Sequence, residues 1–292
     1  MNRSRAEITL LRNLFYGWYF KCQYDTQTFA IIPSIHQEEE KGRTCSIQII
    51  TDTEVQKISF PSERCCKRRR NLWIGKNQFG QKGVWLNIDE GGLKIKGVLK
   101  FSQMSPLKYN IMGLFACIPF MECRHQVWSM RHLVNGKITI NKKKYIFSDG
   151  LGYWEGDEVY SFPHEYAWTQ CFFQDGSLML AVADIPMFGI HFTGIIGVVL
   201  WKGKEYRIAT YLGARAAEIK NRTVKVVQRG LKLEAKLLED IGYKLQAPVN
   251  GSMVRHIRES VTCHAQYKFM KSGRTLFDFE TKAASFEYEY GK

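Results

Sequence analysis

Leu93-Lys94-Ile95-Lys96-Gly97-Val98-Leu99-Lys100-Phe101 is the stretch that decides the fold. Apolar and basic side chains alternate, so Leu93, Ile95, Leu99 and Phe101 share one face and Lys94, Lys96 and Lys100 the other. This is the period of a half-buried strand. Residues 231–237, Leu-Lys-Leu-Glu-Ala-Lys-Leu, repeat it. Residues 45–50 and 55–60 read as a hairpin through Thr51-Asp52-Thr53-Glu54, and 137–140 with 145–147 as another around Asn141. Residues 84–88 and 205–212 add strands. The apolar run 178–201 contains Asp184, Pro186, His191 and three glycines. It reads as two buried strands with a turn at Asp184-Ile185-Pro186, not as a membrane span. Residues 255–260 carry the best short-helix pattern.

Many short strands predict an all-β protein of two packed β-barrel or sandwich domains with few short helices. The boundary falls near Ile118-Pro119-Phe120, where proline disfavours a continuing central strand. Residues 1–118 then form an N-terminal domain and 119–292 a C-terminal one. At 292 residues, 45% apolar and 13% aromatic, the chain can fill both cores and lies far from disordered compositions.

A formal charge of +14 points to an acidic partner. The densest runs, Lys67-Arg68-Arg69-Arg70 and Lys142-Lys143-Lys144, read as solvated loops, and the remaining excess is dispersed along strands. That argues against a nucleic-acid groove and leaves peripheral contact with an anionic membrane as a use for the charge. Eight cysteines without a C-x-x-C pair suit reduced, mostly buried thiols in a cytoplasmic protein, with no metal and no cofactor. Arg12 interrupts the first apolar run, so no secretory signal is read. Walker-type loops, G-x-S-x-G elbows and H-E-x-x-H motifs are absent.

Chemistry concentrates in residues 148–170, where rings and carboxylates crowd together. If 153–157 is extended, Tyr153, Glu155 and Asp157 share one face. After a turn near Ser161-Phe162-Pro163, Tyr166, Trp168 and Gln170 share another. Acids among rings suit a dry cavity in which a carboxyl group keeps its proton near neutral pH.

Phe15-Tyr-Gly-Trp-Tyr-Phe-Lys21 resembles the E-G-W-Y-F-K opening of the tocopherol cyclase family, with Tyr16 in place of Glu. Pro119-Phe-Met-Glu-Cys-Arg-His-Gln-Val-Trp-Ser-Met130 is similar to its P-F-M-E-C-x-H-x-V-x-S-M segment. Gly152-Tyr-Trp-Glu-Gly-Asp157, Ser161-Phe-Pro163 and Trp168-Thr-Gln170 resemble its G-Y-x-E-x-D…S-F-P…W-x-Q signature. Ala183-Asp-Ile-Pro186, Ala209-Thr-Tyr-Leu-Gly213 and Ala247-Pro-Val-Asn-Gly251 continue the match in order. Glu158 and Val159 depart from it, Val159 standing where Gly is usual.

The resemblance implies lipocalin-like domains, related in shape to carotenoid hydratases. It also implies an intramolecular cyclase: a prenyl double bond is protonated, and a phenol oxygen captures the cation to close a chromanol-type ring. Asp157 would be the general acid, Glu155 its partner and His125 the acceptor of the phenol proton. Tyr153, Trp168, Trp18, Tyr166, Gln170 and Trp128 would line the pocket of a hydrophobic isoprenoid. The same residues admit structural roles. The carboxylates suit backbone amides or cations, His125 a satisfied core histidine, and Trp18 core packing. In a regular strand His125 and Trp128 face opposite ways, so sharing a pocket requires a bulge. A carrier of a hydrophobic small molecule is the alternative function.

Overall fold

The computed structural model describes residues 14–38, 42–90, 92–118, 121, 123–187, 189–239 and 261–291, and by backbone alone 243–249 and 252–259. The described chain is all-β. In order its strands are β1 Leu14–Tyr24, β2 Gln27–Glu38, β3 Gly42–Thr51, β4 Val55–Pro61, β5 Cys65–Arg68, β6 Asn71–Ile74, β7 Asn77–Gly80 and β8 Gly83–Glu90. Then come β9 Leu93–Ser102, β10 Cys123–Ile140, β11 Lys143–Val159, β12 Tyr166–Phe173, β13 Gly176–Met187, β14 Ile190–Trp201 and β15 Lys204–Ala209. The rest are β16 Arg215–Lys220, β17 Thr223–Gln228, β18 Leu231–Glu239, β19 Tyr243–Val249, β20 Ser252–Glu259, β21 Cys263–Lys271 and β22 Arg274–Tyr288. Short 3₁₀ turns sit at Ser62–Arg64, Gly113–Cys117 and Thr210–Leu212.

Two compact units interleave along the sequence. The first comprises Met1–Pro106, Glu122–Ser161 and Ala247–Arg255; the second comprises Leu107–Met121, Phe162–Gln246 and His256–Lys292. Residues 122–161 therefore stand with the first unit, not with a C-terminal domain beginning at 119. The cause is β11, which pairs with β1 from Phe15–Val159 to Gln23–Leu151 and with β10 on its other side. Pro119 and Phe120 lie outside the described residues.

The first unit holds an 11-stranded antiparallel sheet in the order β4-β3-β2-β1-β11-β10-β9-β8-β7-β6-β5. Its core takes Ile47 and Phe60 from one end of that order, Trp18 and Trp154 from the middle, and Leu72 and Ile74 from the other end. One cluster fed by both ends requires a sheet curled on itself. A Cys45–Cys65 disulfide joins β3 to β5 across the seam. The expectation that all eight cysteines stay reduced does not hold, and the cytoplasmic reading loses that support. Cys22, Cys66, Cys117, Cys123, Cys171 and Cys263 are thiols.

The second unit holds nine strands in the order β15-β14-β13-β12-β22-β21-β18-β17-β16. Gln228 stitches its seam: its Oε1 accepts from the Ala209 amide at 2.9 Å and its Nε2 donates to the Arg207 carbonyl at 2.9 Å. The side chain thus replaces backbone pairing between β17 and β15. β19 and β20 pair as a separate two-stranded sheet.

The alternating segments behave as their periods predict. Leu93, Ile95, Leu99 and Phe101 are buried on β9, and Leu233, Ala235 and Leu237 on β18. Three local expectations change. The turn within 178–201 falls at Gly189, whose φ of +79° suits glycine, while Asp184 lies within β13 opposite Thr193. Residues 252–259, where a helix was expected from 255, are extended. The strand from 204 ends at Ala209, and a 3₁₀ turn follows. Among the described residues, no helix is long and apolar enough to cross a membrane.

Candidate functional site

Alternation along β11 sets Tyr153, Glu155 and Asp157 on one face, and the register brings His125 beside them. His125 lies opposite Asp157, and Val127 opposite Glu155, across the β10–β11 ladder. His125 Nδ1 donates to Asp157 Oδ1 at 2.7 Å. Its Nε2 sits 3.1 Å from Glu155 Oε2, close enough for charge attraction though off the hydrogen-bond line. The Tyr153 hydroxyl donates to the same Glu155 oxygen. Cys123 Sγ lies 3.9 Å from Asp157 Oδ1. An imidazole is therefore lodged between two carboxylates, one of which is tied to a phenol.

Burial sets the electrostatics. Loss of water would strip the His125 imidazole of its proton, but Asp157 and Glu155 outweigh that and raise its pKa to about 10. His125 is thus an imidazolium at neutral pH. Burial holds the Glu155 carboxyl above its ordinary value, with His125 pulling the other way. Burial and the Glu155 charge push the Tyr153 phenol well above its own. The side chain of Glu155 is 5% exposed and that of Asp157 21%, so the deeper carboxyl is Glu155. The donor atoms turn on one another. Among the described residues no set of three such ligands is placed to hold a metal ion.

The polar face continues across neighbouring strands. On β1, Gly17 pairs with Asp157, Tyr19 with Glu155 and Lys21 with Tyr153. The Phe15 ring lies where a Cβ on Gly17 would project, which is why glycine stands there. On β2 and β3, His36 Nε2 meets Ser34 Oγ at 3.0 Å and Ser46 Oγ at 3.2 Å. Lys21, Ser34, His36, Ser46, Glu155 and His125 are all buried. Sequence reading missed Lys21, Ser34, His36 and Ser46. The available signal was their shared parity along strands whose other positions are apolar.

The opposite face of these strands is the apolar core, and it holds the tryptophans. Trp18 crosses Trp128 and Trp154 edge-on, with centroids 5.6 and 5.4 Å away, and Trp128 stacks on Trp154 at 4.8 Å. A Cβ on Gly156 would come within 2.6 Å of both Trp128 and Trp18, so glycine there admits the cluster. A register shift does occur between Val127 and Ser129. Even so, Trp128 packs into the core with Trp18. The structure does not place Trp18 and Trp128 on the face of the acids, because strand parity sends them through the sheet.

Tyr166, Trp168 and Gln170 belong to the second unit, on the face of β12 opposite Ala167, Thr169 and Cys171. The Tyr166 hydroxyl donates to Glu287 Oε2 at 2.5 Å. Gln170 is fully buried with neither amide atom hydrogen-bonded among the described residues. The β12–β22 register runs only from Ala167–Tyr288 to Gln170–Ser285. Past its end lies a cavity of about 500 Å³ lined by Phe172, Phe173, Trp201, Phe277, Phe279 and Lys202. Lys202 Nζ sits 4.9 Å from the Trp201 ring centre.

Comparison with solved structures gives a fold likeness. An AttH-assigned protein from Nitrosomonas europaea is 10% identical, with 99% of this chain and 97% of that one covered and a TM-score of 0.56. CghA, solved with Sch210972, is 9% identical over 95% of this chain and 88% of its own, with a TM-score of 0.63. The chain has a lipocalin-like β-barrel fold. No family model and no curated protein matches it by sequence. The tocopherol cyclase resemblance rests on the sequence motifs alone.

Proposed function

We propose that the protein is a tocopherol cyclase-like enzyme, protonating a prenyl double bond of a hydrophobic isoprenoid quinol and closing a chromanol-type ring. The observation that carries this reading is the buried Glu155, whose Oε2 meets both Tyr153 and His125 while Asp157 holds the imidazole from behind. An isolated alkene is a poor base and needs an acid that keeps its proton until substrate arrives. Glu155 suits that task better than Asp157, which is engaged with His125.

In the proposed cycle Glu155 starts protonated, beside the Asp157–His125 ion pair. Transfer of the Glu155 proton to the alkene forms a C–H bond and leaves a tertiary cation facing an array of charge −1. That attraction grows only as charge develops. The phenol oxygen then forms the C–O bond, and its proton returns to Glu155. The reaction is an isomerisation without cofactor. His125, already protonated, orients and tempers Glu155 and does not serve as the base. Exclusion of water favours ring closure over hydration.

Incubating purified protein with a detergent-solubilised prenyl quinol in D₂O tests the reading. A ring-closed isomer carrying one deuterium at the protonated carbon is expected. Absence of product, or product without deuterium, overturns it. The second unit's ring-lined cavity favours a second reading, a carrier for a hydrophobic small molecule. Tight binding without conversion, weakened by Phe277→Ala, supports that one.

A further inference from the structure

The second unit exposes a cluster of large apolar side chains on three turns. Leu114, in the 3₁₀ turn Gly113–Cys117, is 71% exposed; Ile190, beginning β14, is 64%; Leu212, in the turn Thr210–Leu212, is 37%. They form one patch, because the rings beside them touch. Phe115 lies 6.1 Å from Phe192 and 5.7 Å from Tyr211, centre to centre. Ile190 shares a face of β14 with Phe192. The patch is also anchored. The Tyr211 hydroxyl donates to the Ile111 carbonyl at 3.0 Å, its ring covers Gly113, and Arg207 lies 3.5 Å from the ring centre of Tyr109. Rigid turns thus hold Leu114, Ile190 and Leu212 outward against the hydrophobic effect, and such exposed clusters mark interaction surfaces.

We infer that this patch is a membrane-contact surface, seating the second unit on an anionic bilayer. Charge complementarity selects the occupant. Lys108, next to Tyr109, and Arg215, on the strand after the Thr210–Leu212 turn, are exposed and make no ion pair among the described residues. The neighbouring acids Asp184 and Glu205 are already paired, with His191 at 2.6 Å and Arg207 at 2.7 Å. The whole chain carries +14. Apolar side chains on turns, with unpaired cations close in sequence, need no shape-matched partner, and they suit an interface that is oily below and negative above. The inference stands apart from the ring-closure reading, since vesicle binding requires no turnover.

Co-sedimentation of the full chain with phosphatidylcholine vesicles, with and without phosphatidylglycerol, tests it. Wild type should bind the anionic vesicles. The triple change Leu114→Asp, Ile190→Asp, Leu212→Asp should weaken binding about tenfold or more, without disturbing a core these side chains do not enter. Lys108→Glu with Arg215→Glu should remove the preference for phosphatidylglycerol. Ile146→Asp, at a 53% exposed position in the first unit, should bind as wild type. Three results overturn the inference: wild type ignores both vesicles, the triple variant binds unchanged, or Ile146→Asp loses binding equally. A dimer in solution that the triple change splits while vesicle binding persists would assign the patch to a second copy of the chain instead.

Discussion

The first sheet is closed by a covalent bond between β3 and β5, the second by the amide of one glutamine between β17 and β15. The interiors differ less than the faces turned away from them. In the first unit that face buries a lysine, two histidines, serines and the Glu155 carboxyl group, with Asp157 partly exposed beside it. In the second it buries Gln170, while the cavity opens on the core side, where Phe173, Trp201, Phe277 and Phe279 pack against the interior. Buried charge costs free energy unless it is paired. The first unit carries that cost in its Asp157–His125–Glu155 array, and the second carries it in the Arg207–Glu205 pair. The proposed proton chemistry draws on the first unit's array, and the carrier reading on the second unit's cavity.

Four experiments sharpen or break this division. The largest effect should come from Glu155→Gln, which removes the proton and should lower turnover about 10²–10⁴-fold, while Phe277→Ala, in the second unit's cavity, should leave turnover intact. Equal losses of turnover in both would dissolve the distinction. Next, Cys45→Ala should cost about 3 kcal/mol, from a disulfide closing a separation of 20 residues. Reductant should lower the wild-type melting temperature and leave the variant unchanged. Gln228→Leu should cost about 1–3 kcal/mol by stranding a buried amide and carbonyl, as denaturant melts would report. If it proves costlier than Cys45→Ala, the covalent seam is not the stronger one.

The fourth experiment reads the pH dependence. The pKa of His125 rises from 6.5 when unfolded to about 10 in the fold, so its stabilisation is complete below pH 6.5 and is lost as pH rises through 10. Glu155, raised above 4.5, acts in the same direction, since the fold favours its protonated form. The melting temperature should therefore fall between pH 6.5 and 10, and His125→Gln should flatten that slope. A slope unchanged in the variant would place the titrating group elsewhere.

Much of this was legible in residue order. The alternation at 93–101 and 231–237 marked strands with the correct buried positions, because a period of two is a local property. The same rule put Tyr153, Glu155 and Asp157 on one face, and set His125 and Trp128 on opposite faces. Reading Trp18 and Trp128 into the acid pocket failed because it took the motifs as one cluster, while the sheet separates them by parity. The pairing of β11 with β1 was not legible, since it joins residues from Gln23–Leu151 to Phe15–Val159, far apart in sequence. The Cys45–Cys65 seam left no spacing signal, because only the curl of the sheet brings β3 and β5 together. Gly189, not the Asp184-Ile185-Pro186 segment, made the turn because the hairpin there requires positive φ.

The most direct measurement is an NMR titration of the His125 ring in the folded protein. If Asp157 and Glu155 grip it on a buried face, both ring nitrogens stay protonated at pH 7 and lose a proton only near pH 10. A neutral ring at pH 7 would contradict the account, leaving Glu155 without the cation that makes its proton transferable.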